Sequence, residues 1–135
     1  MRTFLFLSMA LAASVVGAQN KLTVVVDGIE KSEGKVLVAV FDSINYLKAP
    51  AYYGWAKIEK DREEVTVVID SIASGKYAVT LYQDENDNNK LDMGTFGPIE
   101  KYGFSNNAIP VMGPPAFQDC MFAVEEDTEI NITLR

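Results

Sequence analysis

Histidine is absent from the 135 residues, and cysteine occurs once, at Cys120. The first absence removes the usual general base of serine, cysteine and threonine hydrolases and the commonest transition-metal ligand. With one thiol and no imidazole, zinc, copper and haem sites lack a donor set. A lone cysteine forms no disulfide within its chain, so Cys120 reads as a small buried apolar side chain. Basic residues are also few: 12 Lys and Arg stand against 19 Asp and Glu, a formal net charge of −7. A surface of that sign repels phosphate backbones and anionic membranes, which sets nucleic-acid binding aside. No glycine-rich loop follows a strand to open a helix, so a nucleotide phosphate has no cradle. What remains is carboxylate and amide oxygen chemistry. Glu85, Asp87, Asp92, Glu100 and Asp119 are the material for a paired-carboxylate hydrolase, but no spacing singles out a pair, and a non-catalytic protein is expected.

Long apolar runs are missing after the N-terminus. Residues 1–18 carry Arg2 as a short positive start, an apolar stretch from Phe4 to Ala13, and Val16-Gly17-Ala18 ahead of Gln19. This is the layout of a secretory signal peptide cut after Ala18, and the stretch is shorter than the ~20 residues a membrane helix needs. The expectation is a secreted or periplasmic protein with no membrane insertion after cleavage. Residues 19–135 are then one domain, long enough to bury a core without disulfides.

Periodicity in that domain is strand-like from end to end. Segments 22–27, 35–41, 64–69, 76–82 and 129–134 are rich in Val, Ile, Thr and aromatics and alternate or run apolar, with weaker candidates at 54–59 and 120–124. About seven short strands with turn signals between them predict an all-β fold, an antiparallel β-sandwich of immunoglobulin-like or transthyretin-like type. Alternation places Val36, Val38, Val67, Ile69, Val79, Leu81, Ile130, Ile132 and Leu134 in the core. Two segments break the pattern. Residues 42–53 suggest a short helical turn laying Tyr46 and its neighbours over the sandwich edge. Residues 93–119 hold four of the 5 prolines and four of the 9 glycines, with Phe96, Tyr102, Phe104 and Phe117 among them. That aromatic density predicts a long ordered loop packed on the sandwich.

The densest chemistry lies at residues 84–92, DENDNNKLD. Asp84, Asn86, Asn88 and Asp92 fall at loop positions 1, 3, 5 and 9, with the Lys90 carbonyl at position 7, the order in which a calcium loop presents its oxygens. Asn89 stands where such a loop prefers Gly, and Asn is the residue that best replaces Gly in a left-handed turn. Thr95 stands where the bidentate Glu belongs, so the expectation is a weak calcium site or a bare polar turn.

With the YAV strand at 77–79, the DEN turn, FGPIEKYGFSNNA at 96–108 and GPPAFQD at 113–119, the chain resembles a secreted bacterial family, domain of unknown function 2141. The resemblance implies export and a small β-sandwich, and it implies no activity. This chain departs from the family's usual DENxNG turn at Asn89. If the 84–92 turn and the GFSNNA segment share one end of the sandwich, Tyr102, Phe104, Asn106 and Asn107 lie beside the acidic turn. Rings next to amides suit a sugar, since ring faces stack while amides read hydroxyls. The functional expectation is an exported binding module for a glycan or another envelope component. The alternative is a structural or protein-interaction domain with no small-molecule ligand, in which the loop aromatics only close the core.

Overall fold

The computed structural model describes residues 19–135, and the expected signal peptide at 1–18 lies outside the described residues. The segments with a period of two become β1 (Gln19–Asp27), β2 (Lys35–Phe41), β3 (Tyr52–Lys57), β4 (Val65–Ala73) and β5 (Gly75–Asp84). The C-terminal half adds β6 (Met93–Gly94), β7 (Gly97–Pro98), β8 (Tyr102–Phe104), a 3-10 turn (Ser105–Asn107), the one-turn helix α1 (Phe117–Cys120), β9 (Phe122–Val124) and β10 (Thr128–Thr133).

These strands form the expected all-β sandwich. One sheet has the order β10-β1-β4, and the other has the order β3-β2-β5-β8 with β9 also paired to β5. Pairing is antiparallel except that β1 and β10 run parallel. Alternation fixes which face a strand buries but not its partner or its direction, so this pairing of the first and last strands was invisible in the pattern. A bulge lets β4 bury Ile69 and Ile72, three positions apart. Pairing with β1 shifts between Asn20 and Leu22, and Ser71 takes φ 60°.

Leu22, Val24, Val26, Val36, Val38, Val40, Val67, Ile69, Val79, Leu81 and Ile132 form the shared core, closed below by Leu134. Of the expected core residues, Ile130 alone is only partly buried, packing at the core's margin. Gly54 and Gly103 also face inward. A Cβ at Gly54 would meet Val67 Cγ1 at 2.8 Å, and one at Gly103 would meet Ile132 Cγ2 at 2.6 Å. The missing side chains let both outer strands press against the opposite sheet, and their neighbours must point outward.

Residues 93–119, expected as one long ordered loop, include short strands. They contain the β6–β7 hairpin and β8, whose Thr80↔Phe104 and Tyr82↔Tyr102 pairs extend the second sheet. A three-residue strand with Gly103 at its centre is too short to carry a periodic signal. Residues 42–53 behave as expected at Tyr46: the Asn45 carbonyl accepts from the amides of Lys48 and Ala49, closing one turn. Tyr46 then packs edge-on against Phe41 and Phe117. Its hydroxyl donates to the Pro115 carbonyl at 2.7 Å and lies 3.7 Å from Cys120 Sγ. Cys120 is fully buried there, as its lone occurrence suggested.

Candidate functional site

β5 ends at Asp84, where the polar turn begins. Asp84 is completely buried, and its carboxylate accepts from the amides of Asn88 (3.1 Å) and Asn89 (2.8 Å). That folds the turn back on itself, and Asn89 adopts φ 59°, the left-handed conformation for which Asn substitutes for Gly. Asn86 Nδ2 donates to Asp92 Oδ2 at 2.7 Å, and Asn88 Nδ2 to Asp92 Oδ1 at 2.8 Å. These bonds hold the Asp92 carboxyl below the usual carboxylate range, with the Asn88 amide the larger cause. Four of the five expected ligand positions therefore converge through their side chains, and the fifth, Lys90, has its amide turned to Asn88 Oδ1 at 3.0 Å.

Glu100 was not expected in this arrangement. Nearly buried, it accepts from the Glu85 amide at 2.8 Å and the Asp92 amide at 2.9 Å, clamping both ends of the turn. It lies beyond the nine-residue spacing, so no local motif could reveal it. Among the described residues, no three acidic, cysteine or histidine side chains gather as a metal cluster. The turn gathers the carboxylate and amide groups from which a hard cation takes oxygens, with both Asn side chains donating nitrogen to Asp92 and Lys35 Nζ 4.0 Å from Asp84 Oδ2. An Asn amide turned by half a rotation presents oxygen in place of nitrogen, and the Asp84 carboxylate has lone pairs beyond the two its amide partners use.

Tyr102 and Phe104 stack edge-on at a ring separation of 5.9 Å. Both are half-buried in a groove of about 520 Å³ whose other walls include Leu91, Met93, Phe96, Pro98 and Met112. Phe96 and Met112 are fully exposed. Of the four aromatics in this segment, Tyr102 and Phe104 stand on β8, Phe117 packs edge-on against Tyr46, and Phe96 is exposed.

Asn106 and Asn107 are elsewhere. Ser105 accepts from the Val79 amide, five residues before Asp84, so at ~3.4 Å per residue these asparagines lie roughly 17 Å along the strand from the acidic turn. Their side chains serve the backbone: Asn106 Nδ2 donates to the carbonyls of Asp119 and Met121, and Asn107 Oδ1 accepts from the Thr133 amide. Both take left-handed φ, at 60° and 49°. The expected grouping of two rings with two amides thus separates into a ring pair in a groove and a pair of turn-forming amides.

A second feature went unread in the sequence. Opposite the core, the five-stranded sheet carries two cross-strand rows. Trp55, Leu37, Tyr82 and Tyr102 are in register across β3, β2, β5 and β8, and Tyr53, Ala39, Thr80 and Phe104 form the adjacent row. Trp55 and Tyr53 are 66% and 71% exposed. The next row, Phe41 and Ala78, is buried beneath the Tyr46 and Phe117 cluster. Tyr82 stands two residues before Asp84 on β5, and its phenol is raised above its ordinary value by burial and then by Asp84, Glu100 and Asp92. Single aromatics separated by dozens of residues form a row only through strand order, and strand order was not readable.

Fold and site together define a small all-β sandwich with a polar turn at one end and aromatics gathered on one sheet. The chain belongs to the family described as uncharacterized protein conserved in bacteria, domain of unknown function 2141, which matches residues 24–132. No curated protein and no solved structure matches the chain.

Proposed function

We propose that this protein is an exported, non-catalytic binding module for a glycan or another envelope component, with the 84–92 turn as a weak calcium site. The observation that carries the reading is the ring pair Tyr102 and Phe104 lying open in a groove of about 520 Å³ rather than sealed in the core. Ligand sites are concave and mostly apolar, and an exposed apolar lining that folding does not bury marks a surface for something else. The leader-like residues 1–18 support export. Sedimentation of the purified mature chain with isolated bacterial envelopes tests the reading. Wild type is expected to co-sediment and the Tyr102→Ala/Phe104→Ala double variant to stay soluble. Equal behaviour of two folded proteins would overturn it.

Calcium would order the turn that stands beside the groove. Two formal charges and no bidentate acid place its affinity near the extracellular range of ~10⁻⁴ to 10⁻³ M. At ~10 mM calcium, a site of that strength present only in the folded state adds about 1.4 to 2.7 kcal/mol, a melting shift of several degrees. Asp84→Asn should abolish the shift, whereas Asp87→Ala should keep most of it. An unchanged wild-type melting temperature, or an equal shift with magnesium, would reduce the turn to an ordinary polar loop.

A further inference from the structure

We propose that the outward face of the five-stranded sheet binds an extended, uncharged polysaccharide laid across the strands, from Trp55 at one edge to Tyr102 at the other. The proposal rests on the binding-module reading and gives it a ligand class and a surface.

Register makes the row. Trp55 pairs with Leu37, Leu37 with Tyr82, and Tyr82 with Tyr102, so three aromatic side chains and one aliphatic one lie on a line perpendicular to the strands. Three inter-strand gaps span ~14 Å, with Trp55 and Tyr82 ~10 Å apart. That is room for a few pyranose rings in file, with Trp55 and Tyr82 meeting alternate sugars. Ala39 and Thr80 occupy the middle of the adjacent row, small enough to leave the strip open. The inward Gly54 and Gly103 keep Tyr53, Trp55, Tyr102 and Phe104 facing out.

Two recesses adjoin this face. Towards the strand ends, beside the next register row of Lys57, Lys35 and Asp84, Trp55 borders a recess with Gly34, Lys35, Lys57 and Asp87, and Lys35 Nζ sits 5.8 Å from the indole centre. At the β8 edge Tyr102 opens into the groove walled by Phe96, Pro98 and Met112.

Charge selects the ligand. Neither row contains a charged side chain, and the whole chain carries a net charge of −7, which repels polyanions. Ring faces accept the C–H faces of sugars, while the Tyr82 and Thr80 hydroxyls and the Lys35, Lys57 and Asp87 groups beside Trp55 can exchange hydrogen bonds with sugar hydroxyls. An uncharged, hydroxyl-rich strand complements such a strip.

Trp55 is the sole tryptophan of the chain, so its fluorescence reports this face alone. The mature protein is titrated with hydroxyethylcellulose, laminarin and arabinoxylan, and with alginate as an anionic chain. The expected result is a saturable blue shift and intensity change with at least one neutral chain and none with alginate. Tyr82→Ala and Tyr102→Ala should each weaken binding roughly tenfold, the scale of one lost stacked ring. Val68→Ala, on the opposite sheet, should bind as wild type, and melting curves confirm that each variant is folded. No response to any neutral chain, a response to alginate alone, or unchanged affinity in folded Tyr82→Ala and Tyr102→Ala would overturn the proposal. So would light scattering that shows a dimer dispersed by Trp55→Ala, since the face would then be covered by a second copy. If envelopes still sediment the protein while Trp55 stays silent, the polysaccharide assignment falls and the binding-module reading stands. If both assays are negative, both fall.

Discussion

The two sheets of the sandwich bury similar inner faces and differ on their outer ones. On β10-β1-β4 the outward positions are Thr23, Val25, Thr66, Val68, Asp70, Glu129 and Asn131, a mixed polar surface without an aromatic ring. On β3-β2-β5-β8 the corresponding positions hold Tyr53, Trp55, Tyr82, Tyr102 and Phe104. Both faces meet the demands of strand propensity, which Val and Thr satisfy as well as rings do. The fold therefore does not require aromatics on the second sheet, and the proposed polysaccharide gives their row a role that stability does not.

Adjacent residues of β5, Leu81 and Tyr82, face opposite sides of the second sheet. Leu81 points into the core and is 2% exposed, so Leu81→Ala should cost about 2 to 5 kcal/mol in denaturant unfolding while leaving polysaccharide affinity of the folded fraction unchanged. Smaller in size is the effect of Tyr46→Phe, in the cluster that covers one end of the same face. Loss of its hydrogen bond to the Pro115 carbonyl should cost about 0.5 to 1.5 kcal/mol. The Tyr46 phenol is raised by burial and then by its Cys120 contact, so the neutral form is the folded one. Its stabilisation is complete below pH ~10 and lost as pH rises toward the folded value. Tyr46→Phe should flatten that alkaline decline, and an unaltered pH profile would show that the phenol is not a determinant of the covered end. Smallest of all, Trp55→Thr should change stability by no more than about 0.5 kcal/mol, the range of an ordinary surface substitution. A loss comparable to Leu81→Ala would mean that the rings hold the sheet together.

Much of this fold was legible. Strands β2 and β5 lie where alternation put them, and Val36, Val38, Val67, Ile69, Val79, Leu81 and Ile132 are buried because a period of two leaves one inward face. The polar turn at 84–92 was legible too, since its contacts span at most a few residues: Asp84 accepts from the Asn88 amide, and Asp92 from the Asn86 and Asn88 side chains. What escaped the sequence depends on separation along the chain. Glu100 reaches back fifteen residues to the Glu85 amide, and Asn107 reaches forward twenty-six to the Thr133 amide. The Trp55, Tyr82 and Tyr102 row is assembled from three strands whose order no local pattern encodes.

The contrast between the two outer faces is tested most directly by an amide chemical-shift map of the protein during titration with the neutral polysaccharide that shifts Trp55 emission. Perturbations should concentrate in residues 35–41, 52–57, 78–84 and 102–104, with residues 23–27, 65–70 and 128–133 unmoved. Perturbations spread evenly over both sheets, or confined to the first, would contradict the assignment of the aromatic face as the binding surface.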